Sequence, residues 1–482
     1  MSTASPPPAR MGSLDALFLF AEDGIAHMHI GSCATFAGPA PSLVSLTASV
    51  SGKVHLVERF RQRVRFVPGN LGRPVWVDDP GFLLAEHLHA VSLPAPGDDA
   101  TLETLMSELM SDELPRDRPL WDMWLVDSLS HDRWALVSKV HHCMVDGIAG
   151  TDLLASLLDE SPDAEIGAPE PWDPAPPPSD ARLVLDALVD NALQPAKAIA
   201  AVVRSGGDVS HLVRSVRDTA EGLWSFGRIL APWTPHPSAR SLSGTIGPKR
   251  RWAVARCDLD DIRSIRSVFG GSMNDVVVAA VAGAFRELLT RHGEAPDAVR
   301  FSALVPASLR NGHDHVLDNQ VSMMIAELPV EIADPLDRLT AVHSRMQQLK
   351  GSHQIDAGAK LFETIDVLPA SLFSWAAHTT SAILRMVPQR TVNTVITNVP
   401  GPQQPLYAVG REMLEYLPFV PIGEGLRLGV AVITYNGRCT FGITGDAASA
   451  DDVTFLADRV EAAVEQLHAL ARPAPRRRTR RS

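Results

Sequence analysis

Between Trp134 and Val140 the chain is mostly apolar, with Trp134, Leu136 and Val140 on one strand face and Ala135 and Val137 on the other. A short run filled on both sides predicts an interior β-strand. It ends directly in His141 and His142. Beyond Gly147, residues Ile148, Leu153, Leu154, Leu157 and Leu158 recur at roughly helical spacing, so the segment reads as strand, loop, helix. Upstream, short apolar pieces from Asp15 to Phe36 predict a helix start and then a strand ending near Ala37. Leu71 to Val77 and Trp121 to Val126 predict two further strands. Pro162 to Pro178, rich in proline and acidic residues, predicts a linker or surface loop. Leu183 to Val203 and Val209 to Ile229 read as helices. In the second, Val209, Leu212, Val213, Val216, Ala220, Leu223 and Trp224 form one apolar stripe, suited to packing on a partner or to lying on a lipid surface.

After the turn-rich stretch from Pro232 to Gly247 the alternation of elements resumes. Strands are predicted at Ala303–Val305, Val321–Leu328, Thr394–Ile396, Leu428–Thr434 and Thr440–Ile443. Val276 to Phe285 is the longest apolar run, about half of what a membrane-spanning helix needs, and reads as a buried helix. The expected fold class is α/β in two domains. The boundaries are 11–165 for the first domain, 166–247 for a Pro-rich linker with connecting helices, 248–470 for the second domain and 471–482 for a basic tail.

Composition narrows the function. Hydrophobic residues make up 45% and charged residues 21%, an ordinary globular balance, and a formal net charge of −12 argues against a nucleic-acid partner. Cys33, Cys143, Cys257 and Cys439 lie far apart with no C-x-x-C pair, which suits a reducing compartment rather than a disulfide framework or zinc site. The first ten residues contain no apolar signal core. A cytoplasmic protein is expected. Its arginine tail, Arg476, Arg477, Arg478, Arg480 and Arg481, reads as a solvated terminus or as a contact for anionic lipid headgroups.

The candidate chemistry is His141-His142-Cys143-Met144-Val145-Asp146-Gly147, an H-H-x-x-x-D-G. An imidazole titrating near neutrality can take the proton of a hydroxyl as it attacks a thioester. Placed at the end of an interior strand, it is held stiffly. Alternation along the strand sends the two rings to opposite faces, so only one can serve one cleft. The reading is His142 as general base and His141 as a structural, hydrogen-bonded neighbour; the plainer alternative is a pair of satisfied core histidines. Asp146 can fix the loop by accepting hydrogen bonds or pairing with an arginine, and Gly147 lets backbone or substrate approach closely. No third ligand at a metal-site spacing accompanies the pair, so no metal is expected.

This motif resembles one shared by chloramphenicol acetyltransferase, peptide-synthetase condensation domains and the bacterial wax ester synthase/diacylglycerol acyltransferase family. The last is most similar, because other blocks also match it in order. These are Ser13-Leu14-Asp15-Ala16-Leu17-Phe18-Leu19, Met28-His29-Ile30-Gly31, Pro119-Leu120-Trp121 and Asn274-Asp275 before Val276-Val277-Val278-Ala279. Later blocks are Val305-Pro306-Ala307-Ser308-Leu309-Arg310, Asn319-Gln320-Val321-Ser322, Thr397-Asn398-Val399-Pro400-Gly401-Pro402, Thr434-Tyr435-Asn436-Gly437 and Phe441-Gly442.

The resemblance implies two chloramphenicol-acetyltransferase-like domains facing each other across a central tunnel, with His142 in its middle. It implies transfer of a long-chain acyl group from acyl-CoA to diacylglycerol or a long-chain alcohol, by direct attack without an acyl-enzyme. Acyl-CoA is then a substrate and no cofactor is expected. The protein would work peripherally at the inner membrane or a lipid-droplet surface. Ser272-Met273-Asn274-Asp275 is by itself a helix-capping signature; the alternative is that the Asn274 amide polarises the thioester carbonyl or places CoA. Pro119-Leu120-Trp121 reads as wall and packing or as a substrate contact, and Thr397–Pro402 as a turn-rich loop at which the family crosses between domains. Competing functions are a carrier-protein-dependent condensation or polyketide-ester acyltransferase and a non-catalytic lipid-surface protein.

Overall fold

A strand that is apolar on both sides must be covered on both sides, and that requirement organises the first sheet. In the computed structural model, which describes residues 9–145, 154–204, 239–308, 321–351, 371, 391–450 and 452–472, Trp134 to Val140 is buried throughout. The first half runs α1 (Ser13–Ala21), β1 (His29–Ala37), α2 (Leu43–Ser51), a ribbon of β2 (Gln62–Arg65) and β3 (Val75–Asp78), β4 (Leu88–Ser92), α3 (Asp99–Leu109), β5 (Trp121–Leu129), β6 (Arg133–His141) and α4 (Asp180–Arg204). The second runs β7 (Arg250–Asp258), α5 (Leu259–Phe269), α6 (Met273–Arg291), β8 (Ser302–Ser308), β9 (Val321–Glu327), α7 (Pro335–Gly351), β10 (Thr394–Pro400), β11 (Tyr407–Ala408), β12 (Arg411–Phe419), β13 (Leu428–Tyr435), β14 (Arg438–Asp446) and α8 (Val453–Ala471).

Two six-stranded mixed sheets result. Their orders are β11-β12-β1-β6-β5-β4 and β7-β14-β13-β10-β8-β9. The first contains strands from both halves: β12 returns from the second half and pairs antiparallel with β1, Cys33 opposite Leu417. The two halves are therefore interleaved, and β6 has a neighbour on each side. The crossing follows β10, and Thr397–Pro400 belong to that strand instead of a loop; the turn begins at Gly401, where a Cβ would stand 2.2 Å from the Thr434 carbonyl oxygen. The strand expected over Leu71–Val77 is shorter, starting at Val75, because Pro74 just before it offers no N–H to a ladder. The apolar run in α6 is buried core, as its composition predicts: Val276 to Phe285 packs between the second sheet, α7 and α8.

The edge of the second sheet is closed by side chains of the first half. Alternate N–H groups of β7 face away from β14 and need acceptors. Arg250 donates to Ser111 Oγ at 2.9 Å, Trp252 to Ser107 Oγ at 2.9 Å and Val254 to Glu103 Oε1 at 3.2 Å. Those acceptors recur every four residues along α3 and its end, the spacing of one helix face. A cluster of Asp99, Arg133, Arg256 and Glu415 bridges α3, β6, β7 and β12, with Arg256 Nε 2.7 Å from Glu415 and Nη2 3.0 Å from Asp99. Among the described residues no single helix is long and apolar enough to cross a membrane; α5 and α6 pass that test only together, across a 102° bend. The Val209–Ile229 stripe and the arginine tail lie outside the described residues.

Burial pushes the Glu103 carboxyl up to about 7, against the hydrogen bond from Val254. A carboxyl whose folded value exceeds its unfolded one holds its proton better in the folded state, so its contribution to stability is lost as pH rises through that interval. Glu103→Gln keeps an acceptor for Val254 and removes the charge. It should gain stability relative to wild type between about pH 5 and pH 8 in urea unfolding; an unchanged difference across that range would contradict this.

Candidate active site

Strand β6 ends at His141, and the chain turns into a single 3-10 turn at His142. This break overrides the alternation read from the sequence. Instead of diverging, both rings meet the C-terminal end of α1. His142 stacks on Phe18, ring centroids 3.9 Å apart and planes within 19°, while His141 Nε2 lies 3.4 Å from Glu22 Oε2. Phe18 and Glu22 are four residues apart, one helical turn.

His141 is fully buried, and its Nδ1 accepts the backbone N–H of Cys143 at 3.1 Å, which holds the turn. Its own N–H donates to the Leu120 carbonyl at 2.9 Å. His142 is partly buried; its N–H donates to the Met28 carbonyl at 2.8 Å. Burial pushes its imidazole down to about 4, so the ring is neutral at physiological pH. Cys143 is fully buried and burial holds its thiol well above its ordinary value, which leaves it protonated and unreactive.

Glu22, to which the sequence reading gave no role, is the charged centre of the site. Its Oε1 accepts the Met28 N–H at 3.1 Å and its Oε2 accepts Arg116 Nη2 at 2.8 Å. Burial alone would raise its carboxyl; His141 and Arg116 outweigh that and hold it down at about 2. One signal was present in the sequence: an acid just past the apolar last turn of a helix sits at the negative end of the helix dipole, which is unfavourable without a cationic partner.

Pro119, Leu120 and Trp121 lie behind the motif. Leu120 and Trp121 are buried, Trp121 Nε1 donates to the Phe60 carbonyl at 3.0 Å, and its ring stacks on His87 at 4.4 Å. They support the end of β5 beside the histidines. Asn274 and Asp275 open α6 with a full capping box: Ser272 N–H to Asp275 Oδ2 at 2.8 Å and Asp275 N–H to Ser272 Oγ at 3.2 Å. Asp275 also accepts His343 Nδ1 at 2.8 Å, on the wall of a cavity of about 410 Å³ shared with Arg266 and Met346. The Asn274 side chain accepts from Asn398 Nδ2 at 3.1 Å, joining two blocks 124 residues apart. Among the described residues no hydrogen bond or ion pair links Asn274 or Asp275 to His141 or His142. Asp146, Gly147 and the first residues of the helix expected after them lie outside the described residues. Among the described residues no three His, Cys, Asp or Glu side chains converge as metal ligands.

The chain matches the wax ester synthase/diacylglycerol acyltransferase catalytic domain over residues 11–277 and the C-terminal domain of the same family over residues 317–468. The chain belongs to this family. It is an acyltransferase with the condensation-domain fold. A probable diacylglycerol O-acyltransferase of Mycobacterium tuberculosis is 36% identical over 477 residues, covering 95% of this chain and 96% of the relative. The wax ester synthase/diacylglycerol acyltransferase of Marinobacter aquaeolei superposes with a TM-score of 0.68 at 25% identity, covering 96% of this chain and 99% of that one. The first condensation domain of the calcium-dependent antibiotic synthetase superposes at 0.56 with 17% identity over 97% of each chain, a likeness of fold alone.

In this acyltransferase Glu22 should behave as a structural anion. Its folded value lies below its unfolded one, so its contribution is present above about pH 4.5 and is lost as pH falls toward about 2. Glu22→Gln should cost about 2–4 kcal/mol at neutral pH, since it leaves Arg116 and Met28 with a weaker acceptor in a buried place. The cost should shrink to roughly half or less by pH 3 in acid unfolding; a cost undiminished between pH 6 and pH 3 would count against the charge.

Proposed function

We propose that this acyltransferase moves a long-chain acyl group from acyl-CoA to the hydroxyl of diacylglycerol, or of a long-chain alcohol, with His142 as general base. The observation that carries the reading is a neutral, partly buried imidazole at the end of an interior strand, fixed by Met28 and Phe18. As the hydroxyl oxygen attacks the thioester carbon, His142 takes its proton. The tetrahedral intermediate collapses with cleavage of the carbon–sulfur bond, and the imidazolium returns the proton to the departing CoA sulfur. No acyl-enzyme is needed, because the thioester is already activated. CoA enters as substrate, and the residues of the site call for no cofactor or metal.

In this reading His141 positions the turn, Asp146 and Gly147 shape the loop that follows, and Pro119, Leu120 and Trp121 form the wall behind it. Asn274 contacts the donor, and Asp275 holds the helix end that presents it. The relatives named for diacylglycerol favour that acceptor. Insoluble acceptors call for contact with a membrane or lipid droplet. The face of α4 that exposes Leu185, Leu188, Val189 and Leu193 suits such a surface, for its opposite face already packs Leu183 and Ala187 into the protein.

The test is free-CoA release from palmitoyl-CoA with diacylglycerol, hexadecanol or no acceptor. Release should require an acceptor, vanish in His142→Ala and persist at reduced folded yield in His141→Ala. Equal activity of the two variants would refute the assignment. Release with neither alcohol would favour a carrier-protein donor. Because burial holds His142 near 4, the acid limb of kcat/KM should fall well below the ordinary imidazole value of 6.5; a limb at 6.5 would count against His142 as the titrating base.

A further inference from the structure

The loop joining α1 to β1, residues 23–28, bonds His142 directly and the carboxylate facing His141, and is gripped at its tip by a residue 225 positions away. Its last residue, Met28, gives its carbonyl to His142 and its N–H to Glu22, the carboxylate that faces His141. Its tip is shaped by Asp23, whose Oδ1 accepts the N–H groups of Ile25 at 2.9 Å and Ala26 at 2.8 Å. That turn directs the Ile25 carbonyl toward the second half of the chain, where the Arg250 guanidinium donates to it through Nη2.

We propose that Arg250 is a positioning residue for acyl transfer, setting the place of His142 by holding the tip of loop 23–28 from the second half of the chain. The proposal rests on His142 being the base. Arg250 is 4% exposed and is fixed from its own side. Its Nη1 donates to the Gly247 carbonyl at 2.5 Å and the Lys249 carbonyl at 3.2 Å and stands 4.0 Å from Asp446. Asp446 is pinned by the Gly247 N–H at 2.7 Å and the Ser449 hydroxyl at 2.6 Å. Apolar contact also holds the loop, Ala26 and Met28 packing on Ile246 and Ile422. Such contact is non-directional, whereas a guanidinium fork fixes where a carbonyl oxygen lies. The side chain of Ile25 is exposed, so at the tip itself the charge-assisted bond supplies the direction. Small displacements at reacting groups carry large rate penalties, about a hundredfold for 1 Å. Arg250 thus makes the placement of the histidine depend on docking of the two halves, although it touches no reacting atom.

The experiment compares wild type, His142→Ala, Arg250→Lys, Asp23→Ala and the Arg250→Lys/Asp23→Ala double variant, with palmitoyl-CoA and diacylglycerol. Lysine keeps the charge but cannot reach the Ile25 and Gly247 carbonyls together. We expect kcat to fall about tenfold in Arg250→Lys and several-fold in Asp23→Ala, with KM for both substrates within about twofold. The double variant should be little worse than Arg250→Lys, because both changes act through one carbonyl. Arg250→Met should be lower than Arg250→Lys. If buried Arg250 variants do not fold, Asp23→Ala decides the matter, since it alters a partly exposed loop residue. Wild-type kcat in Asp23→Ala, a loss confined to KM, or multiplicative effects in the double variant would overturn the proposal. An inactive His142→Ala beside unaffected Arg250→Lys and Asp23→Ala removes this inference alone. A fully active His142→Ala removes the base on which it rests.

Discussion

A carboxylate taken out of water must meet enough donors to replace the solvent it loses, and Glu22 is such a group. It closes α1, where the helix dipole opposes it, and is almost wholly covered. Its partners come from three separate places: the donors Arg116, from the segment after α3, and Met28, from the loop into β1, and His141, whose ring at the end of β6 stands 3.4 Å away. Satisfying one anion therefore fixes four pieces of chain relative to each other. The histidine turn inherits that geometry. His142 hangs its N–H on Met28, the residue that also feeds Glu22, and lays its ring on the same helix one turn earlier.

The second half contributes at longer range. Its β12 completes the first sheet beside β1, and the open edge of its own β7 is closed by Glu103, Ser107 and Ser111. Each half thus supplies what the other's backbone lacks, a neighbour strand in one direction and a row of acceptors in the other. Unpaired edge groups cost free energy if buried without partners, so neither sheet is complete in isolation. The site lies close to this seam: β1, whose neighbours are β12 and β6, places His29 opposite His141.

What could be read from sequence was what depends on neighbours in sequence. The interior character of β6 followed from its apolar faces, and the burial of α6 from its unbroken run with a capping signature before it. The pair His141-His142 was conspicuous through its type and its place at a strand end. The relation between those two rings was not legible, because it depends on where the strand stops, and a 3-10 turn after His141 left no mark in the periodicity. Glu22 was missed because its partners lie six, 94 and more than a hundred residues away. The same applies to Asn274 and Asn398, each noticed within its own block and joined only by the fold. Thr397–Pro400 reads as a loop because proline and glycine dominate its end, whereas a parallel partner on β13 extends the strand to Pro400.

For the proposed reaction, in which His142 is the base, the burial around its ring acts in two opposing ways. Removing water lowers the basicity of His142, which weakens the pull on a substrate proton. The same removal keeps the ring unprotonated, protects a thioester from hydrolysis and strengthens every dipole that a bound substrate brings. A strongly basic imidazole in an open site would be partly protonated and would face water as a competing acceptor. A weaker one covered by bound substrate would meet little besides the hydroxyl it is to deprotonate. For transfer between two poorly soluble partners the second arrangement discriminates better. Its demand is exact placement, because an imidazole of low basicity gains little from a hydroxyl that is not already in line. In the proposed mechanism that demand falls on the backbone at Met28, whose carbonyl holds the His142 N–H.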